Sequence, residues 1–102
     1  MQNLTRLTDD QLVADFAQGE NRAFDELLER HKLRVHNYIL RIVKDADVAD
    51  DVFQETFVKV IMTIKQGRYT ADGKFGSWIL RIAHNVVIDH FRREKAEALV
   101  ST

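Results

Sequence analysis

No proline occurs among the 102 residues and only four glycines do, three of them between positions 67 and 76. These two residue types interrupt regular backbone most often. Proline lacks an amide hydrogen and clashes with the preceding turn, and glycine loses the most conformational freedom on folding. A chain almost free of both is built from long helices joined by few loops. The glycine-rich stretch "GRYTADGKFGS" marks the single substantial loop.

Apolar spacing supplies the helices, and no strand alternation or internal repeat competes with it. In "LTDDQLVADFAQG", Thr8 with Gln11 three residues on has the form of a capping box, and Gly19 is a stop, so a short first helix is expected. From Asn21, read as an N-cap, Phe24, Leu27, Leu28, His31, Val35, Tyr38, Ile39 and Ile42 recur at three- and four-residue steps, giving a helix of about 23 residues. Asp45 or Asp47 caps a third helix that runs to about Gln66. After the loop, a fourth starts near Phe75 or Ser77 and runs to about Lys95, with Phe75, Trp78, Ile79, Ile82, Ala83 and Val86 inward. The expected fold class is all-α, a compact bundle of three main helices plus a short N-terminal one. Phe24, Leu28, Tyr38, Ile39, Phe53, Phe57, Val60, Trp78, Ile82 and Val86 are expected in its core.

A length of 102 residues with 45% hydrophobic and 30% charged content suits a single domain, 1–102, with one core. No apolar run approaches the roughly 18 residues of a membrane span, and "MQNLTRLTDD" lacks a secretory hydrophobic segment, so the default compartment is the cytoplasm. Absence of cysteine removes disulfides and thiolate metal sites. His31 with His36, and His84 with His90, diverge by about 140° and 120° on a helix, too far for shared metal ligation, so no metal site is expected. No phosphate-binding glycine loop, His-Glu-x-x-His or partnered nucleophile occurs, so neither catalysis nor a cofactor is expected.

The net charge of −1 hides an asymmetry. Residues 1–57 hold 7 Lys+Arg against 12 Asp+Glu, and residues 58–102 hold 8 against 4. Such a chain can meet two different surfaces, of which only the basic half suits phosphate. In the acidic half, "DDVFQETFVKVIM" puts Val52, Phe53, Phe57, Val60 and Ile61 on one side and Asp51, Gln54, Glu55, Val58 and Met62 on the other. Carboxylates and an amide around two apolar side chains suit a helix-to-helix contact with a basic partner. In the basic half, Ser77, Arg81, His84, Asn85, Ile88 and Arg92 lie roughly opposite the core stripe of the last helix, and Arg93 and Lys95 extend the charge. The loop before it pairs an aromatic with cations through Arg68, Tyr69 and Lys74, a combination suited to single-stranded nucleic acid. The same tyrosine could equally fold back as a lid on the core.

"DADVADDVFQETFVKVIMTI" followed by "FGSWILRIAHNVVIDHFRRE" resembles region 2 of bacterial sigma-70-family sigma factors, in particular the extracytoplasmic-function (ECF) group, over about residues 10–95. The resemblance implies a transcription-initiation domain. Its third helix would dock on the coiled-coil clamp helices of the largest subunit of core RNA polymerase through Asp51, Gln54 and Glu55, with Asp50 at the edge and Val58 and Met62 adding apolar area. It further implies that the loop and last helix recognise and melt the promoter −10 element by capturing an unpaired non-template-strand base. Arg68, Tyr69, Thr70, Asp72 and Lys74 would surround that base, with Trp78, Arg81, His84, Asn85 and Arg92 along the strand and the Arg93 charge beyond. An anti-sigma partner is implied by the resemblance alone.

The loop departs from the family pattern in having "YTADGK" where Asp-Pro often follows the aromatic. Asp89 is read as a surface partner of Arg92 or Arg93. The C-terminal helix-turn-helix domain (region 4) that reads the −35 element in such factors is absent from this chain, which is read as the N-terminal domain of a longer protein. The alternative is a helical protein-protein adaptor without DNA binding, which would show no affinity for single-stranded DNA at any salt concentration.

Overall fold

Thr8 and Gln11 form the capping box in full: the Thr8 hydroxyl accepts from the Gln11 amide at 3.1 Å and the Gln11 side chain accepts from the Thr8 amide at 2.8 Å. They start α1, Asp9–Ala17, in a computed structural model that describes residues 3–100. A 3-10 turn, Leu4–Arg6, precedes it, and Gly19, at φ 107°, makes the left-handed turn into α2, Asn21–Val43. The cap of α2 is Glu20 rather than Asn21, because the Glu20 carboxylate accepts from the Arg22 amide and Asn21 is already helical. Only Lys44, left-handed at φ 57°, and Asp45 separate α2 from α3, Ala46–Lys65. Asp45 is the cap, accepting from the amides of Asp47 and Val48.

The last helix, α4, runs Phe75–Val100, five residues beyond the expected end. Ala96, Glu97, Ala98 and Leu99 are strong helix formers and no glycine or proline stops them. Residues 91–99 are all exposed, so the final turns project past the bundle. The fold is all-α among the described residues, with α2 packed against each of the other three helices.

Leu12 and Phe16 of α1, Leu27, Val35 and Ile39 of α2, Val52, Phe57, Val60 and Ile64 of α3, and Phe75, Ile79, Val86 and Val87 of α4 form one core. Ala23, Ala49 and Ala83 are fully buried where the helices meet. The one buried polar side chain among the described residues, Thr56, donates to the Val52 carbonyl within α3 at 2.7 Å. Of the ten residues expected in the core, Ile39, Phe57, Val60 and Val86 are buried, whereas Phe24, Leu28, Tyr38, Phe53, Trp78 and Ile82 are only half-buried. A small bundle with a nine-residue first helix cannot cover every apolar stripe on both sides. The centre of the α4 stripe is rotated toward Ile79, Ala83 and Val87, leaving Trp78 and Ile82 at its edge. Ile42, expected on the α2 stripe, is exposed, one residue before that helix ends.

Two acidic residues at the start of α1 fasten the bundle. Asp9 pairs with Arg30 at 3.1 Å and with His31 at 3.0 Å. Arg30 also binds Glu26 at 2.7 Å and donates to the Leu4 and Thr5 carbonyls. Burial works against the Arg30 charge, but its hydrogen bonds to Glu26 and Asp9 outweigh it and hold the guanidinium above its ordinary pKa. His31 packs edge-on against Phe75 at the edge of the core. Gly76, in the first turn of α4, leaves room for two α2 side chains: a Cβ there would lie 3.2 Å from Arg34 Nη1 and 3.6 Å from the His31 ring.

Candidate nucleic-acid interface

The loop between α3 and α4 is shaped by its glycines and by one carboxylate from α1. Gly67 and Gly73 sit at φ 70° and 78°, the left-handed region glycine enters without strain. Between them, Tyr69 turns inward: its ring lies edge-on 4.7 Å from Trp78 and 5.5 Å from Phe75. Its hydroxyl donates to Asp10 Oδ1, and the Gly73 amide donates to Asp10 Oδ2 at 2.9 Å. Burial, then the Asp10 hydrogen bond and charge, push the Tyr69 hydroxyl well above the usual phenol pKa. The lid role left open for this tyrosine is therefore the one the fold gives it, although one side of the ring still faces outward. Asp72 accepts from the Lys74 amide at 3.0 Å, a local turn that delivers the chain into α4.

Outside that framework lies a cleft of about 300 Å³ lined by Arg68, Tyr69, Thr70, Asp72, Lys74, Ser77, Trp78 and Arg81. Seven residues assigned to DNA from the sequence thus meet in one place, joined by Ser77. Arg68, Lys74 and Arg81 are exposed and make no ion pair among the described residues. Three cations and one carboxylate, Asp72, thus stand around an aromatic wall.

The remaining assignments separate. Asn85 lies in an adjoining groove between α3 and α4, with Lys59, Met62, Thr63, Gln66, Arg68 and Ile82, so Arg68 belongs to both recesses. His84 is tied to α2 by its Nδ1, 3.1 Å from the Tyr38 hydroxyl. Arg92 is highly exposed, 3.9 Å from Asp89, which also lies 3.8 Å from Lys59; the Asp89–Arg92 pair is the surface contact expected. Arg93 points toward α3, where its exposed guanidinium meets Glu55 at 3.4 Å.

On α3 the acidic and apolar residues form an exposed ridge divided among three recesses. Asp50, Gln54 and Val58 border a shallow apolar groove with Leu28, Phe53, Phe57 and Ile61. Asp51 and Glu55 face His90, Arg93, Glu94 and Glu97 of α4, and Met62 lies in the groove with Asn85. Val58 and Met62 are 48% and 52% exposed, so about half of each apolar side chain is open to a partner. Asp50 is held by His36 at 2.9 Å.

The sequence matches the sigma-70 region 2 family over residues 27–97. The chain belongs to that family. Sigma factors are transcription initiation factors and not enzymes. This region 2 is 38% identical over 87 residues to the RNA polymerase sigma-H factor of Pseudomonas aeruginosa, covering 85% of this chain and 44% of that protein. It is 34% identical over 93 residues to the ECF RNA polymerase sigma factor BldN of Streptomyces coelicolor, covering 90% and 34%. The chain thus spans half or less of the length of these relatives. In structure it resembles an engineered region 2 of sigmaE solved by NMR in complex with GTAAAA, with a TM-score of 0.80 and 29% identity over 95% of this chain and 97% of that one.

The region 2 residues that the sequence did not single out are Asp10, Lys59, Thr63 and Gln66. Lys59, Met62, Thr63 and Gln66 form a row at three- and four-residue steps, a pattern visible in "KVIMTIKQ". Asp10 gave no signal, because its partners lie 59 and 63 residues away. Among the described residues no group of three or more His, Asp or Glu is placed to hold a metal ion, and no helix is long and apolar enough to cross a membrane.

Proposed function

We propose that this region 2 captures one unpaired base of the promoter −10 non-template strand in the cleft between the loop and α4. In this reading α3 docks on the clamp helices of the largest subunit of RNA polymerase. The observation that carries the reading is the cleft itself. Arg68, Lys74 and Arg81, all without ion pairs among the described residues, surround the Tyr69–Trp78 wall, in a chain that resembles a solved region 2 complexed with GTAAAA. Cations attract the phosphodiester backbone and an aromatic wall gives a base a surface to pack on, and neither alone would select single strands over duplex.

Melting then needs no ATP. Unstacking costs a few kcal/mol per step, and each base packed against the protein recovers roughly 1–3 kcal/mol. Arg68 joins the cleft to the Asn85 groove, a route along which neighbouring nucleotides lie against Ile82, Gln66 and Lys59. Asp72 acts mainly by holding the loop and Tyr69 both holds it and offers its ring to the base, which leaves Arg68, Thr70, Lys74 and Ser77 as the groups that meet base edges. For the polymerase, Asp51, Gln54 and Glu55 give orientation, Val58 and Met62 give apolar area, and Asp50 borders the contact.

A single-stranded series based on GTAAAA, varied one position at a time, tests the reading by titration at two salt concentrations. Affinity should fall with salt at a log–log slope of about −0.7 per neutralised phosphate, with a base preference at one position. No binding at either salt would favour the protein-only adaptor.

A further inference from the structure

We propose that Asp10 is a positioning residue for base selection: from α1, and without touching DNA, it sets the shape of the cleft. This rests on the loop reading above and deepens it. One carboxylate spans the loop, one oxygen accepting from the Tyr69 hydroxyl and the other from the Gly73 amide at 2.9 Å. Tyr69 lines the cleft, and Gly73 lies between Asp72 and Lys74, which line it too. Losing both bonds would free these two parts of the lining to move apart.

The anchor is itself fixed. Asp9, its neighbour, is bound to Arg30 and His31 of α2, so the α1 turn bearing Asp10 cannot follow the loop if the loop shifts. Tyr69 in turn packs edge-on against Trp78, which puts the only tryptophan of the chain one ring away from the Asp10 contact. Asp10 therefore supplies order to the loop that loop composition lacks, with two glycines and no proline between positions 67 and 74.

Three variants of the whole chain separate this role from a general contribution to folding. Asp10→Ala removes both acceptors. Asp10→Asn keeps an oxygen for the Gly73 amide and offers amide hydrogens to the Tyr69 hydroxyl oxygen. Tyr69→Phe removes one bond and leaves the ring. Each is checked for fold by thermal melting. Each is then titrated with the one-position oligonucleotide series, and Trp78 fluorescence is quenched with acrylamide.

Asp10→Ala should lower the discrimination ratio between the preferred base and the next about tenfold, leave the salt slope unchanged and make Trp78 more accessible to quencher. Tyr69→Phe should lower the ratio about threefold, and Asp10→Asn should recover most of it. A folded Asp10→Ala with wild-type discrimination overturns the role, as does one that weakens binding to every sequence alike. Should Asp10→Ala not fold, unchanged discrimination in Tyr69→Phe overturns it. Absence of any base preference in the wild type overturns the loop reading and with it the role of Asp10, a failure distinguishable because it appears before any substitution.

Discussion

Exchanging the charges of Glu55 and Arg93 separates fold from partner binding, because the same carboxylate pairs with Arg93 and belongs to the proposed polymerase contact. Glu55 meets Arg93 of α4 at 3.4 Å, with the two side chains 35% and 60% exposed. A pair so open to solvent contributes about 0.2–1 kcal/mol, so Glu55→Arg, which turns attraction into repulsion, should cost the domain about 1 kcal/mol or less. In a domain of this size that lowers the melting temperature by about 4–8 °C. Adding Arg93→Glu restores an opposite pair and should return the melting temperature to within a few degrees of wild type. Binding to a basic partner helix behaves differently. Like charges set against each other at an interface cost several kcal/mol; about 2 kcal/mol for a partly exposed side chain corresponds to a loss of roughly 30-fold. The exchange cannot recover this, since the outward charge of α3 stays reversed. Thermal melting followed by titration with an isolated clamp coiled coil of the polymerase largest subunit measures both. Clamp affinity that recovers in the exchanged variant alongside stability would refute the proposed contact.

Phe57→Ala should cost about 3–5 kcal/mol by urea denaturation, because the ring is buried against Phe24 and Phe53; a loss under about 1 kcal/mol would mean that α3 is rotated. Arg92→Ala should flatten the salt dependence of oligonucleotide binding by about 0.7, whereas Arg93→Ala, facing Glu55, should leave it unchanged; equal effects would contradict the separation of the two arginines. Tyr69 has its folded pKa raised, so the associated stability is present in full below about pH 10 and declines as pH rises beyond it. The difference in stability between wild type and Tyr69→Phe should therefore shrink above that pH, and a difference constant up to pH 11 would be inconsistent with a buried, Asp10-bound hydroxyl.

Local chemistry made most of the framework legible. The Thr8–Gln11 box, the Asp45 cap, the Gly19 turn and the length of α2 follow from contacts within a few residues, and such contacts hold whatever packs outside them. The side of α4 that faces the core was less legible, because a stripe containing Trp78, Ile79, Ile82, Ala83, Val86 and Val87 is wide enough to fit several rotations. Packing against α2 and α3 selects among them. That Arg93 meets Glu55 was not legible for a related reason: its direction depends on how α4 crosses α3. The loop residues were found through the resemblance and their aromatic and basic character. That Tyr69 and Asp72 are held internally depends on partners that periodicity does not reveal.

The central claim is that one unpaired base, and only one, enters the cleft between Tyr69, Trp78 and the loop cations. Abasic scanning tests it most directly, by removing the base at each position of the GTAAAA oligonucleotide in turn while keeping every phosphate. The loss should be concentrated at a single position, about 5- to 140-fold from the roughly 1–3 kcal/mol that packing a base contributes, and should be much smaller there when Thr70 and Lys74 are both alanine. Small and equal losses at every position, unaltered by those substitutions, would contradict it.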